Sequence, residues 1–130
     1  MSRVGWLGRL VDFIAIATVL SGAVQMLWPA VVLTVVGGAT GAAGEHFFGI
    51  VGMFMMLFGG LTLHGVRVAS APALFWSGLQ KFGAVAAVVL GIRHNVFSLM
   101  ALPVAGFDLV SGVLIILYWR KVSVGGVLSV

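Results

Sequence analysis

Four apolar runs, each long enough to cross a bilayer as a helix, decide what this chain can fold into. They cover about Leu10 to Trp28, His46 to Val66, Ala73 to Ile92 and Val96 to Trp119. A hydrocarbon core of about 30 Å takes roughly 20 apolar residues in helical form. Lipid offers the backbone no hydrogen-bond partner, so each run must satisfy its own amides and carbonyls, which a helix does. The expectation is an all-α, four-helix transmembrane bundle that occupies 1–130 as a single integral membrane domain. Composition agrees: 8% of the residues are charged and 62% hydrophobic, whereas about a quarter are charged in soluble domains. A chain of 130 residues that spends itself on four crossings has no room for a soluble catalytic domain.

The breaks between the runs are "PAVVLTVVGGATGAAGE", "RVASAP" and "RHN". In the first, Ala30 to Val36 is seven residues, roughly 10 Å as helix, before glycine and alanine take over. It is too short for a fifth crossing and reads as an interfacial or re-entrant piece after the Pro29 break. The N-terminal stretch begins like a secretory signal, with arginine, an apolar run and small residues near Ser21 to Ala23. The run continues to Trp28, a spanning length, and is read as a crossing.

Four crossings put both termini on one side. Arg3, Arg9, Arg67, Arg120 and Lys121 then share that side, while Arg93 is alone on the other. Five against one implies cytoplasmic termini in a multi-pass protein of the cytoplasmic (inner) membrane, with Pro29 to Glu45 and Arg93 to Asn95 outside. Trp6, Trp28, Trp76, Trp119 and Tyr118 fall near the helix ends, as an aromatic belt would have them. The net charge of +4 comes from arginines beside apolar runs. That pattern suits anionic lipid headgroups and gives no reason to expect a nucleic-acid partner. Nineteen glycines, among them Gly49, Gly52, Gly59, Gly60, Gly78, Gly83, Gly106 and Gly112, suit close helix approach in lipid.

Lys81 and Asp108 are the charges inside the runs. By helical rise they lie on the order of 12 and 16 Å from the cytoplasmic ends of their helices, nearly level, and the short "RHN" turn makes those helices antiparallel neighbours. Lys81 shares a face with Ser77, Gly78 and Ala84, and Asp108 with Ala105, Ser111 and Gly112. Faces of small residues point at other helices, so a Lys81–Asp108 contact inside the bundle is expected. Asp12 is a second candidate partner for the lysine, although Arg9 is one turn away and can occupy it. Gln25 and Gln80 add hydrogen-bonding capacity. The pair admits two readings: a protonatable site on an ion pathway, or a buried ion pair that sets helix register.

At the opposite end, Glu45, His46, Arg93 and His94 gather by topology into a possible external polar site. Two histidines there can meet a metal with help from the glutamate, but such residues are more often solvated, and no metal is expected. His64 sits at the far end of its helix from His46, so a bis-histidine haem is not expected either. The absence of cysteine excludes disulfides, thiolate metal sites and cysteine nucleophiles. No serine has a histidine in triad spacing, and no glycine-rich loop joins a strand to a helix. The run "GMFMMLFGG" offers a flexible methionine and phenylalanine surface for an apolar ligand such as a lipid or quinone, or simple packing.

Read in order, "WPAVVLTVVGG", the glycine-rich "FGIVGMFMMLFGGL", the proline loop "ASAP", "LQKFG" and "AGFDLVSG" resemble the small four-helix DoxX-like bacterial membrane proteins. A basic residue is frequent in that family at the start of the second helix, where this chain has "EHFFG". The resemblance implies a four-helix fold and a role accessory to membrane redox or stress systems, and it supplies no catalytic residues.

Together these features point to a non-catalytic integral membrane subunit or binding module. It would pack against itself as a homo-oligomer or against other membrane subunits and sit in membrane lipid, with room to hold a lipid or quinone and no cofactor expected. One alternative is a small proton-coupled transporter or channel using Lys81, Asp108 and Asp12. The other is a membrane redox or enzyme subunit using Glu45, His46 and His94.

Overall fold

The computed structural model describes residues 5–128. Among them the regular structure is all helical, with no strand. The helices are α1 (Trp6–Leu27), α2 (Pro29–Val35), α3 (Ala42–Arg67), α4 (Ala71–Arg93) and α5 (Leu102–Leu128), with a 3-10 turn at Leu99–Ala101 before the last. Four of these are long and apolar enough to span a membrane: Trp6–Leu27, Ala42–Arg67, Ala71–Arg93 and Leu99–Gly125. The chain is a multi-pass membrane protein. Arg3, counted above among the charges of the terminal side, lies outside the described residues.

Local chemistry sets the boundaries. Pro29 occupies the first turn of α2, where its missing N–H costs nothing, and so ends α1 and begins a seven-residue helix. Ser70 caps α4 by accepting from the Ala73 amide at 3.4 Å, and Pro72 follows in the first turn. The α4–α5 connection is longer than the three residues expected. Asn95 takes a left-handed conformation, φ 59°, and the amides of Val96 and Phe97 both return to the Gly91 carbonyl. Val96 to Ser98 are therefore not helical, and the fourth span starts about one turn later than the hydropathy alone placed it.

The helices follow one another around the bundle in the order α1, α3, α4, α5. The tightest pairings are α1 with α3 and α4 with α5, and the α1–α5 seam is thin. Backbone proximity explains the first pairing. A Cβ on Gly22 would lie 2.5 Å from the Gly52 carbonyl oxygen, and one on Gly52 would lie 2.7 Å from the Met26 amide. Close approach of this kind supplies much of the dispersion that holds helices together in lipid. Not every glycine expected at a packing face serves one: a Cβ on Gly60, Gly83 or Gly106 would meet nothing within 4 Å.

Packing is uneven along the bundle axis. At the end that carries the two termini, Leu7, Val11, Ile14, Val66, Leu74, Ile115 and Tyr118 form one buried cluster. Tyr118 is thus part of the core and not of an aromatic belt, and Trp119 packs against Phe75 with ring centroids 5.2 Å apart. Trp6, Trp28 and Trp76 are exposed near helix ends. Towards the opposite end α4 is less covered, and from Ala84 to Arg93 none of its residues is buried. That half of the bundle surrounds a cavity.

Candidate functional site: a polar floor in a half-bundle cavity

Lys81 comes from the middle of α4, on the face that also buries Ser77 and Gly78. Its Nζ is 3.0 Å from Asp108 Oδ1 on α5, with side-chain exposures of 5% and 13%. The same ammonium donates to Thr18 Oγ1 on α1 at 2.8 Å, and the Phe107 ring centroid is 5.3 Å away. The Thr18 hydroxyl is used twice, since it also donates to the Ile14 carbonyl one turn back at 2.8 Å. One lysine thereby ties α4 to α5 and to α1. Around Asp108, Ala105, Ser111 and Gly112 are buried, so its side of α5 is the small-residue face.

The lysine and aspartate form the floor of the cavity, which lies between them and the end of the bundle remote from the termini. A more enclosed part of about 240 Å³ has apolar walls that include Val36, Val51, Met55, Val88 and Phe97, interrupted by Gln25 and Gln80. A wider part of about 610 Å³ lies between α1 and α5 and includes Leu20, Val24, Val104 and Phe107. Both parts share Gln25, Val32, Met55, Lys81, Val104 and Asp108. The wider part is a side window: Leu20, Val24, Val104 and Phe107 are all exposed on the flank of the bundle that would meet lipid. Its existence follows from the thin α1–α5 seam.

The far end of the cavity is covered. α2 and the α4–α5 turn are stitched together by the Ser98 amide donating to the Val36 carbonyl at 3.1 Å, with the Ser98 hydroxyl on the same oxygen at 3.4 Å. Phe97 leans on Phe48 with centroids 6.2 Å apart and fills the space left by Gly91, where a Cβ would lie 2.5 Å from its ring. The short α2, read from the sequence as an interfacial or re-entrant piece, thus forms part of this cover, and Leu33 and Val36 are buried beneath it.

Asp12 is not brought to the pair. Its Oδ1 is buried with no hydrogen-bond partner, and among the described residues the one ion pair is Lys81–Asp108, so Arg9 does not occupy Asp12 either. One helical turn and more separates Asp12 from Thr18, and α1 presents the hydroxyl, not the carboxylate, to the lysine. The four outer residues are also divided. Glu45 and His46 line a shallow groove with Met26 and Pro29, of which Arg93 and His94 are not part. Among the described residues no three histidine, aspartate or glutamate side chains converge as metal ligands would. His46, Arg93 and His94 are exposed.

Thr18 went unread in the sequence, as did the window residues. A signal for Thr18 existed: it lies about 18 Å along α1 from Trp6, close to the about 15 Å of Lys81 from Ala71. A hydroxyl at matching depth in an otherwise apolar helix is a natural acceptor for a buried ammonium. The window carried no such signal, because Leu20, Val24 and Val104 are ordinary lipid-facing residues until the separation of two helices gives them a cavity to border. Comparison with protein-family models, with curated proteins and with solved structures gave no match to this chain.

Proposed function

We propose that this protein is a non-catalytic binding module of the cytoplasmic membrane, with both termini inside, that holds a lipid or quinone in its half-bundle cavity. The observation that carries this reading is an apolar chamber with a polar floor and an opening towards lipid. Such a chamber combines the two requirements of an amphiphile site, apolar walls and a few convergent polar groups. The orientation rests on Arg9, Arg67, Arg120 and Lys121 at one end against Arg93 at the other. The likeness to DoxX-like proteins, and the accessory role in membrane redox or stress systems that it implies, belong to the same proposal. So does assembly with itself or with other membrane subunits, for which the exposed apolar flanks leave room.

Holding is favoured over conduction by the packing on the terminal side of the floor. A proton or ion leaving Lys81 and Asp108 in that direction would meet Val11, Ile14, Leu74 and Ile115, all nearly without exposed surface. The test is to purify the full chain in a mild detergent and extract what it retains. An apolar species should be enriched over bulk membrane lipid, and Ala84→Phe, which fills the enclosed chamber, should displace it without lowering the melting temperature. Retention of nothing beyond bulk lipid would refute the reading.

A further inference from the structure

The atoms of the cavity floor that lack partners define the kind of head group that would complete them. Lysine has three N–H donors; two are taken by Thr18 and Asp108, and the third faces no oxygen. The second carboxylate oxygen, Asp108 Oδ2, makes no hydrogen bond and is not sealed away from the cavity. Gln25 donates through Nε2 to the Phe48 carbonyl at 2.9 Å, which fixes its amide and leaves Oε1 without a donor. Gln80, on the α4 wall, has a free amide as well. One acceptor, Asp108 Oδ2, and one ammonium donor therefore face the chamber from the floor, with the Gln25 acceptor about two turns up the α1 wall, while the charges of Lys81 and Asp108 cancel.

A buried floor of zero net charge disfavours a charged head, because a phosphate or carboxylate brought there would lose its hydration with no surplus charge to meet it. An uncharged acceptor such as a carbonyl would satisfy the lysine but leave Asp108 Oδ2 bare. An O–H group does both: its proton goes to an acceptor and its oxygen accepts from Lys81. We infer that the site selects an amphiphile whose head is an uncharged hydroxyl, alcohol or phenol, seated at Lys81 and Asp108 with its apolar tail leaving through the α1–α5 window. This deepens the binding-module reading and rests on it. An isoprenoid alcohol and the reduced, quinol form of a quinone share this chemistry; the oxidised quinone lacks it.

The experiment is equilibrium binding to the full chain in phosphatidylcholine nanodiscs, measured over empty nanodiscs. The probes are dodecanol, its methyl ether, dodecanoate, a decyl benzoquinol and the corresponding benzoquinone. Dodecanol and the quinol should bind saturably, and the ether and quinone about tenfold more weakly, the loss expected for one unmade buried hydrogen bond. Preference for the alcohol alone or the quinol alone identifies which source the chamber fits and sustains the inference. Val24→Trp, at a position that borders the window but not the enclosed chamber and lies about 9 Å along α1 from Thr18, should abolish binding of both. In Asp108→Asn the floor becomes cationic, and dodecanoate should overtake dodecanol.

Equal binding of alcohol and ether, or tightest binding of dodecanoate to the unaltered protein, would overturn the hydroxyl inference while leaving a ligand-holding cavity. Saturable binding that Val24→Trp does not weaken would place the site elsewhere and overturn the inference too. If no probe binds saturably and the purified chain retains no apolar species, both the inference and the binding-module reading fall.

Discussion

The Lys81–Asp108 contact can be weighed by a double-mutant cycle of Lys81→Met, Asp108→Leu and the combined variant. Removing Asp108 leaves the ammonium with 5% of its side-chain surface exposed and Thr18 Oγ1 as its remaining oxygen partner. Breaking a buried pair from one side costs about 3–5 kcal/mol, and a charge at the middle of a membrane helix about 2.5–3.5 kcal/mol on the lenient insertion scale. A loss of about 3 kcal/mol is the expectation for Asp108→Leu. Lys81→Met should cost less, about 2 kcal/mol, because the orphaned carboxylate is 13% exposed and borders the cavity, where water can reach it. The double variant replaces two charges by apolar groups of similar size and should lie within about 1 kcal/mol of the parent. The coupling energy is then about 4–5 kcal/mol, above the about 0.5–3 kcal/mol usual for residues in contact, because each single change strands a buried charge. Equilibrium unfolding by sodium dodecyl sulfate titration in mixed micelles measures all four proteins under one condition. A coupling energy under about 0.5 kcal/mol would mean that the pair contributes nothing a solvated charge does not. The reverse ordering of the single variants would refute the argument from relative burial.

Other expectations follow from particular contacts. Gly22→Val should destabilise the bundle by at least about 1–3 kcal/mol, the usual cost of overpacking, because its Cβ would press on the Gly52 carbonyl and Met55 Cβ of α3; the same titration reads it. Gly83→Ala, with open space around its Cβ, should be neutral or slightly stabilising. Thr18→Val keeps the volume but removes the Lys81 acceptor, and should cost about 1–2 kcal/mol in the parent and markedly less in the Lys81→Met background. The chain has no cysteine, so single cysteines report topology cleanly: with cytoplasmic termini, His94→Cys should react with a membrane-impermeant maleimide in intact spheroplasts, and Val68→Cys only after permeabilisation. The opposite labelling pattern would invert the orientation.

What the sequence determined by itself was the solvent of the fold and the number of its spans. Four apolar runs of spanning length, with little charge inside them, admit only helices in lipid, and that constraint acts on each segment separately. The level depths of Lys81 and Asp108 were also legible, since helical rise and antiparallel neighbours turn residue number into height. The lateral relations were not. Whether a glycine meets a backbone, as Gly22 does, or empty space, as Gly83 does, depends on how two helices cross, and one helix's pattern does not state it. The same holds for Thr18, which became an acceptor by facing α4, and for the outer histidines, which share a height with possible partners but not a direction. The cavity is the clearest case. It exists because close packing at the terminal end and the loose α1–α5 seam leave the other half of the bundle open, and a void between helices is a property of their arrangement in space, which no single segment encodes.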